Sequence, residues 1–264
     1  MALQEHRRSF ILRLIEDRGS VSVVDLAERL NVSMMTIRRD LMDLEREGSV
    51  RRVHGGAVSV RGRSYEPLYT MRAGMMQSQK ERIGRLAASL VAEGDSIALD
   101  IGTTTLEVAR ALVGRRNLTV LTPSLHIANL FLNQPEIRVI VTGGIMRTVE
   151  GSLVGELARA AFKRLHVDRL FLGVACIDAA YGLSEYNWDD ALIKQAMIES
   201  SKEVIVVADS AKFSKVAFAH VADFRQVHKV VTDRIPSPEI LEQLSSYNIP
   251  LLVADHEMPS SSEE

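Results

Sequence analysis

Ser33-Met-Met-Thr36-Ile37-Arg38-Arg39-Asp40-Leu41 continues through Leu44 to Gly48 and then to Arg51-Arg52-Val53-His54-Gly55-Gly56-Ala57, and the rest of the chain falls into place around this run. Met34, Ile37, Leu41 and Leu44 recur at steps of three and four, the spacing of one helix face turned to a core. Thr36, Arg38 and Arg39 fall wholly or partly outside that stripe, so polar and cationic groups point outward. Ser33 is placed to cap the helix start and Gly48 to end it. Ser49 to Val53 and Ala57 to Val60 then read as two short strands, with His54-Gly55-Gly56 at the turn. A helix with outward arginines followed by a small basic hairpin suits a helix in a DNA groove with a wing on the backbone.

Upstream, residues 4–17 carry Ile11, Leu12, Leu14 and Ile15 among polar positions, a helical pattern stopped near Gly19. Ser22 stands three residues before Asp25 and caps a second helix reaching Leu30, which Asn31-Val32-Ser33 joins to the third. Arginine offers a forked donor to guanine or to phosphate, and the helix start beginning at Ser33 adds free backbone donors. Arg51 and Arg52 occupy adjacent strand positions and point to opposite sides, so one is expected on DNA and the other bracing the wing. His54 is expected to bond phosphate or backbone, and Asp40 to align an arginine or pin the first helix. The candidate DNA contacts are therefore Ser33, Thr36, Arg38, Arg39, Arg51, Arg52 and His54. A protein-interaction domain is the alternative for three small helices with an Arg-Arg pair.

Charge is uneven along the 264 residues: 12 Arg and no Lys against 9 Asp plus Glu leave residues 1–63 at +3, while the remainder is at −5. A basic module joined to an acidic one permits local DNA contact without a uniformly basic protein. The single cysteine, Cys176, excludes an intrachain disulfide, and its apolar run Phe171–Ile177 makes it an inert core thiol. No apolar segment follows the basic start, and none is long enough to span a membrane, so a cytoplasmic location is expected. The seven histidines are scattered without metal-ligand spacing, so neither metal nor cofactor is expected.

Residues 1–60 thus read as the DNA-binding domain and 61–77, with Pro67 opposing a helix, as a linker. From 78 to 254 the pattern is α/β. Near-continuous apolar runs at 96–99, 118–121, 137–141, 169–173, 204–208 and 228–231 are expected as parallel strands, covered by helices at 104–113, 124–132, 154–165, 189–200 and 237–246. The tail 255–264 is expected to be disordered. Asp100-Ile-Gly102-Thr103-Thr104-Thr105 lies between a strand and a helix, where open α/β sheets bind ligands. Gly102 permits close approach, Thr103 and Thr104 offer hydroxyls, and the helix start favours an anion. Asp100 would take sugar hydroxyls, organise the pocket or cap the turn. Gly143-Gly144 reads as a second close-approach loop and Lys212 as a mobile cation for phosphate. Glu185, Asp190 and Lys194 are candidate rim groups, although Asp190 and Lys194 also have the spacing of an ordinary helical ion pair.

The first region resembles the N-terminal domain of the DeoR family of bacterial transcription regulators. The likeness rests on Val32-Ser33, Thr36 to Leu41, Leu44, Gly48 and Arg52 to Ala57, and it extends to about residue 254. In the second region it rests on Asp100, Gly102, Thr103, Thr104, Gly143, Gly144, Gly155, Asp168, Gly173, Gly182, Lys194 and Asp209 to Phe213. The resemblance implies a winged helix-turn-helix domain and operator binding as a homo-oligomer, dimer or tetramer, usually with repression of sugar or polyol genes. It further implies an open, mostly parallel sensor domain similar to ribose-phosphate isomerase-like folds, responding to a phosphorylated sugar or polyol. Thr122-Pro123-Ser124 departs from the commoner Thr-Asn-Ser, and Leu183-Ser184-Glu185-Tyr186 replaces a small Thr-rich loop. The candidate effector contacts are Asp100, Gly102, Thr103, Thr104, Thr122, Ser124, Gly143, Gly144, Glu185, Lys194 and Lys212. No catalytic residue is assigned. The alternative is a sugar-phosphate isomerase-like enzyme with an appended DNA-binding domain, with Asp100, Glu185 or Lys212 moving a proton beside a carbonyl.

Overall fold

A computed structural model of the chain describes residues 2–18, 20–59 and 62–254, which divide into two compact units after Tyr65. The first unit contains α1 (Ala2–Arg18), β1 (Ser20–Ser22), α2 (Val23–Leu30), α3 (Met34–Arg46), β2 (Val50–Val53) and β3 (Gly56–Ser59). Its core is Ile11, Leu12, Ile15, Val21, Leu26, Ile37, Leu41, Leu44 and Val50. Ser22 and Ser33 both act as N-caps, their hydroxyls accepting from Asp25 N and Thr36 N at 3.0 and 3.1 Å. Gly48 closes α3 at φ +70, where a side chain would be strained. The strands pair in the order β1-β3-β2, all antiparallel, which makes the basic hairpin a wing. Gly56 is obligatory where β1 crosses, because a Cβ there would lie 2.0 Å from the Val21 carbonyl oxygen.

One expected core position differs. Met34 is 49% exposed, because it opens the first turn of α3, and the buried stripe runs Ile37, Asp40, Leu41, Leu44.

The second unit begins inside the stretch expected to be linker. Leu68 is the N-cap of α4 (Tyr69–Gly74), so Pro67 stands just outside the helix and does not oppose it. There follow α5 (Gln77–Ala88), β4 (Ser96–Leu99), α6 (Thr103–Ala111), β5 (Leu118–Thr122), α7 (Leu125–Leu130) and β6 (Ile137–Val141). Next come β7 (Ile145–Arg147), β8 (Ser152–Val154), α8 (Glu156–Arg164), β9 (Val167–Leu172), β10 (Cys176–Asp178), β11 (Gly182–Glu185) and α9 (Trp188–Glu199). The unit ends with β12 (Ser201–Val207), β13 (Ala219–Ala222), β14 (Lys229–Thr232), α10 (Pro238–Ser246) and β15 (Leu251–Val253). The tail expected at 255–264 lies outside the described residues.

A parallel sheet runs in the order β15-β14-β12-β9-β4-β5-β6. Alternate residues feed two cores. Ala98, Leu121, Leu170, Leu172 and Val206 face α8, α9 and α10, while Ile97, Leu99, Val120, Phe171 and Ile205 face α5, α6 and α7. Connections leave β4 toward β5 and β6 on one side and reach β9, β12, β14 and β15 on the other. The carboxyl ends of β4 and β9 therefore flank a topological switch point, where crevices form. Two antiparallel additions were not anticipated: the side sheet β10-β11-β13 and the hairpin β7-β8. Cys176 is buried in the first of these, and burial pushes its thiol pKa up, as befits an inert thiol.

Candidate functional site

In the first unit α3 is fixed by charge as well as by apolar packing. Asp40 is 1% exposed and takes a forked hydrogen bond from Arg7 of α1, at 2.5 Å to Nε and 3.1 Å to Nη2. Arg8 bonds Asp43 and, at 3.1 Å, Glu47. These pairs tie the first helix to the third, the pinning role expected of Asp40. On the opposite face Arg38 and Arg39 are exposed and carry no ion pair among the described residues, while Thr36 is half-buried and Ser33 is engaged by the cap. In the wing, Arg52 N donates to Glu45 Oε1 at 2.9 Å and its guanidinium lies 3.8 Å from the same carboxylate, whereas Arg51 is exposed and has no ion pair among the described residues. Arg52 is the bracing arginine and Arg51 the free one. His54 is exposed at the wing turn.

In the second unit the switch point is closed by buried charge. Lys194 on α9 is 2% exposed and donates to the Asp100 carboxylate, to Gly173 O at 2.9 Å, and lies 3.4 Å from Glu185. Burial works against its charge, but Asp100 and Glu185 outweigh it and hold the ammonium pKa above its ordinary value. Asp100 also accepts from Gly173 N at 3.1 Å, so it organises the pocket by joining β4, β9 and α9. The expected Asp190–Lys194 helical pair does not form. Asp190 bonds Arg147 instead, because Lys194 is turned toward the β4 end. Burial pushes the Asp190 carboxyl up to about 7, against the pull of Arg147.

A cleft of about 30 Å³, room for one or two waters, opens here. It is lined by Glu66, Arg72, Ile101, Gly102, Glu150, Gly173, Val174, Ala175, Glu185 and Lys194. Of the candidate effector contacts it brings together Gly102, Glu185 and Lys194, with Asp100 directly behind. Thr103 and Thr104 are buried in the first turn of α6, whose N-cap Gly102 has no side chain to cap it. Thr122, Ser124, Gly143, Gly144 and Lys212 do not line it. Thr122 Oγ1 bonds Leu99 O at 2.7 Å and Ser124 caps α7. Gly144, at φ +119, lets its loop approach Val154 O, which a Cβ would meet at 2.4 Å. Lys212 ends a short turn whose start Asp209 caps. A larger hollow of about 210 Å³ at the opposite strand ends is lined by Glu93, Arg115 and Arg116, all exposed and without a buried polar group to fix a ligand.

Arg72, Glu66, Glu150, Arg147 and Lys80 were missed. Arg72 Nε donates to Pro67 O at 3.0 Å, and Nη2 bonds Glu150 and lies 3.6 Å from Glu66. Arg147 bonds Glu66 at 2.6 Å. Lys80 is buried, donates to Arg72 O, and is pushed down to about 8 by that burial, with Asp209 opposing. Only Lys80 left a signal in the sequence, a cation in the stripe Lys80, Ile83, Gly84, Ala87. Among the described residues no group of three or more His, Cys, Asp or Glu could hold a metal, and no helix is long and apolar enough to cross a membrane.

Comparison with known proteins follows the same two units. Residues 7–63 match the DeoR-like helix-turn-helix domain and residues 75–234 the DeoR C terminal sensor domain. The glycerol-3-phosphate regulon repressor of Escherichia coli K12 is 33% identical over 248 residues, 94% of this chain and 98% of that protein. The transcriptional repressor AccR of Agrobacterium fabrum is 36% identical over 87% of this chain and 89% of its own. Ribose 5-phosphate isomerase A of Methanocaldococcus jannaschii has a TM-score of 0.40 at 18% identity, covering 52% of this chain and 55% of that one, too slight a likeness to bear on activity.

Proposed function

The chain belongs to the DeoR family of helix-turn-helix transcriptional regulators, and from that premise we infer that it binds double-stranded operator DNA as a homo-oligomer, dimer or tetramer, under control of a phosphorylated sugar or polyol in the β4–β9 cleft. It is a regulator and not an enzyme, a repressor of sugar or polyol metabolism. The observation that carries the DNA reading is Arg38 and Arg39, exposed and without an ion pair among the described residues, on a helix whose other face is locked through Asp40 and Arg7. Ser33, Thr36, Arg51, Arg52 and His54 complete that surface. Paired modules would meet repeated or palindromic half-sites. A cytoplasmic location goes with a DNA partner.

The effector reading is supported by the Arg72 guanidinium in a cleft that Gly102 lines at the start of α6, where backbone donors favour an anion, with Lys194 and Asp100 fixing the cleft wall. One relative is named for glycerol 3-phosphate, so small polyol phosphates head the set to be tried. Control follows if the effector prefers the conformation that does not bind DNA.

The test uses a DNA fragment selected by the wild-type protein from a random pool, read by fluorescence anisotropy at fixed salt. Arg39→Ala is expected to weaken binding about 5- to 150-fold, the 1–3 kcal/mol of a forked base contact. Its melting temperature should be unchanged, because the side chain has no partner among the described residues. Wild-type affinity in both Arg38→Ala and Arg39→Ala would sink the DNA reading. A full set of sugar and polyol phosphates without effect on operator affinity would sink the effector reading.

A further inference from the structure

We propose that Glu150 is a built-in stand-in for the anionic group of the effector, holding Arg72 until a phosphate takes its place. The proposal rests on the reading of the cleft as the effector pocket and names its anion receptor.

The argument starts from charge. Arg72 and Lys194 face Glu66, Glu150 and Glu185, with Asp100 behind, so carboxylates outnumber cations around a space for one or two waters. A further anion enters only if a carboxylate leaves. Lys194 is not the receptor, because its three donors are directed to Asp100, Gly173 O and Glu185. Arg72 has five donors, of which those on Nε and Nη2 are engaged, and Nη1 has no partner among the described residues. The guanidinium is also held in place: Nε is tethered to Pro67 O, and the ring of Tyr69, stacked on His126 at 4.3 Å, lies 5.7 Å away. A planar, fixed fork is suited to a carboxylate and to a phosphate alike.

Glu150 is the carboxylate free to leave. Glu66 is also bonded to Arg147 and Glu185 is also near Lys194, whereas Glu150, 2% exposed, has Arg72 as its one side-chain partner among the described residues. It occupies the turn of the β7-β8 hairpin, two three-residue strands outside the main sheet, with Val149 beside it already in solvent. The hairpin is itself tied down by Leu125 N to Gly151 O and Leu153 N to Pro123 O, each at 2.9 Å, so Glu150 leaves Arg72 by turning its side chain about its own torsions while the backbone stays. A phosphate, with more charge and three acceptor oxygens, replaces a lone carboxylate on the guanidinium.

Inorganic phosphate is the probe, titrated calorimetrically into the full chain in phosphate-free buffer. Glu150→Gln, which keeps the shape and removes the competing charge, is expected to bind phosphate at least tenfold more tightly than wild type. Arg72→Ala in the same background is expected to abolish that gain. Glu150→Asp, which draws the carboxylate back by one methylene, provides a second, smaller gain should the amide variant fail to fold. Unchanged affinity in the folded Glu150 variants, or a gain that survives loss of Arg72, overturns the proposal. If sugar phosphates alter operator binding by wild type while Glu150→Gln shows no gain, only the stand-in fails. If Glu150→Gln gains phosphate affinity while the sugar phosphates leave operator binding unmoved, the effector reading fails and the exchange on Arg72 stands.

Discussion

Replacing Lys194 by methionine keeps the length and apolar stem of the side chain and removes its charge. What remains is Asp100, 0% exposed, with only backbone donors, Gly173 N at 3.1 Å and Ile101 N, left to face its charge. Breaking a buried pair on one side costs about 3–5 kcal/mol, because the orphaned charge stays in a poor solvent. For a unit of this size each kcal/mol moves the midpoint by about 2–4 °C, so the loss is about 6–20 °C. The sign of the pH dependence is also fixed. Burial already holds the folded-state pKa of Asp100 above its ordinary value against the pull of Lys194, and without Lys194 it rises further, so stability is retained at low pH and lost as pH climbs toward the folded pKa. The deficit of Lys194→Met should therefore be smaller at pH 5 than at pH 8. Asp100→Asn combined with Lys194→Met should recover most of it, since the pair then leaves together. Trp188, the chain's one tryptophan, opens α9, so its fluorescence follows unfolding of this unit rather than of the helix-turn-helix. A single-variant loss below about 1 kcal/mol, or one independent of pH, would refute the view that this pair is a structural clasp.

Asp40→Ala is expected to lower the stability of the first unit by roughly 2 kcal/mol, less than for a wholly buried pair because Arg7 keeps some solvent, and to weaken operator binding although Asp40 faces away from DNA; circular dichroism melts and anisotropy check both. Asp190, lifted to about 7 by burial, holds its proton in the folded state at pH values where the unfolded chain has released it. Stability should fall as pH rises from about 4 to 7, and Asp190→Asn should flatten that slope in urea titrations.

What could be read from the sequence was local. Caps at Ser22 and Ser33, the Gly48 stop, the wing and the inward Asp40 all depend on residues a few positions apart, where spacing carries the information. The parallel strands declared themselves through apolar runs buried on both faces. Non-local arrangements did not. β13 joins the side sheet through β11, and nothing in either segment announces the other. The cleft is assembled from Glu66, Arg72, Glu150, Glu185 and Lys194, whose charges look like solvated surface until the fold gathers them. The Asp190–Lys194 spacing pointed to a helical pair because a one-dimensional pattern carries no trace of Asp100, 94 residues away. Pro67 misled for a related reason: a proline just before a helix and one within it look alike until the cap is located.

The sealed thiol of Cys176 has a practical consequence. A maleimide reagent added to the native protein finds no accessible sulfur, so a cysteine installed at Met35, 70% exposed on α3, would be labelled alone without disturbing the interior. A nitroxide attached there turns α3 into a ruler mark, and paramagnetic distance measurements, with and without a sugar phosphate, would show whether two copies pair and, if they do, how far apart their α3 helices are held.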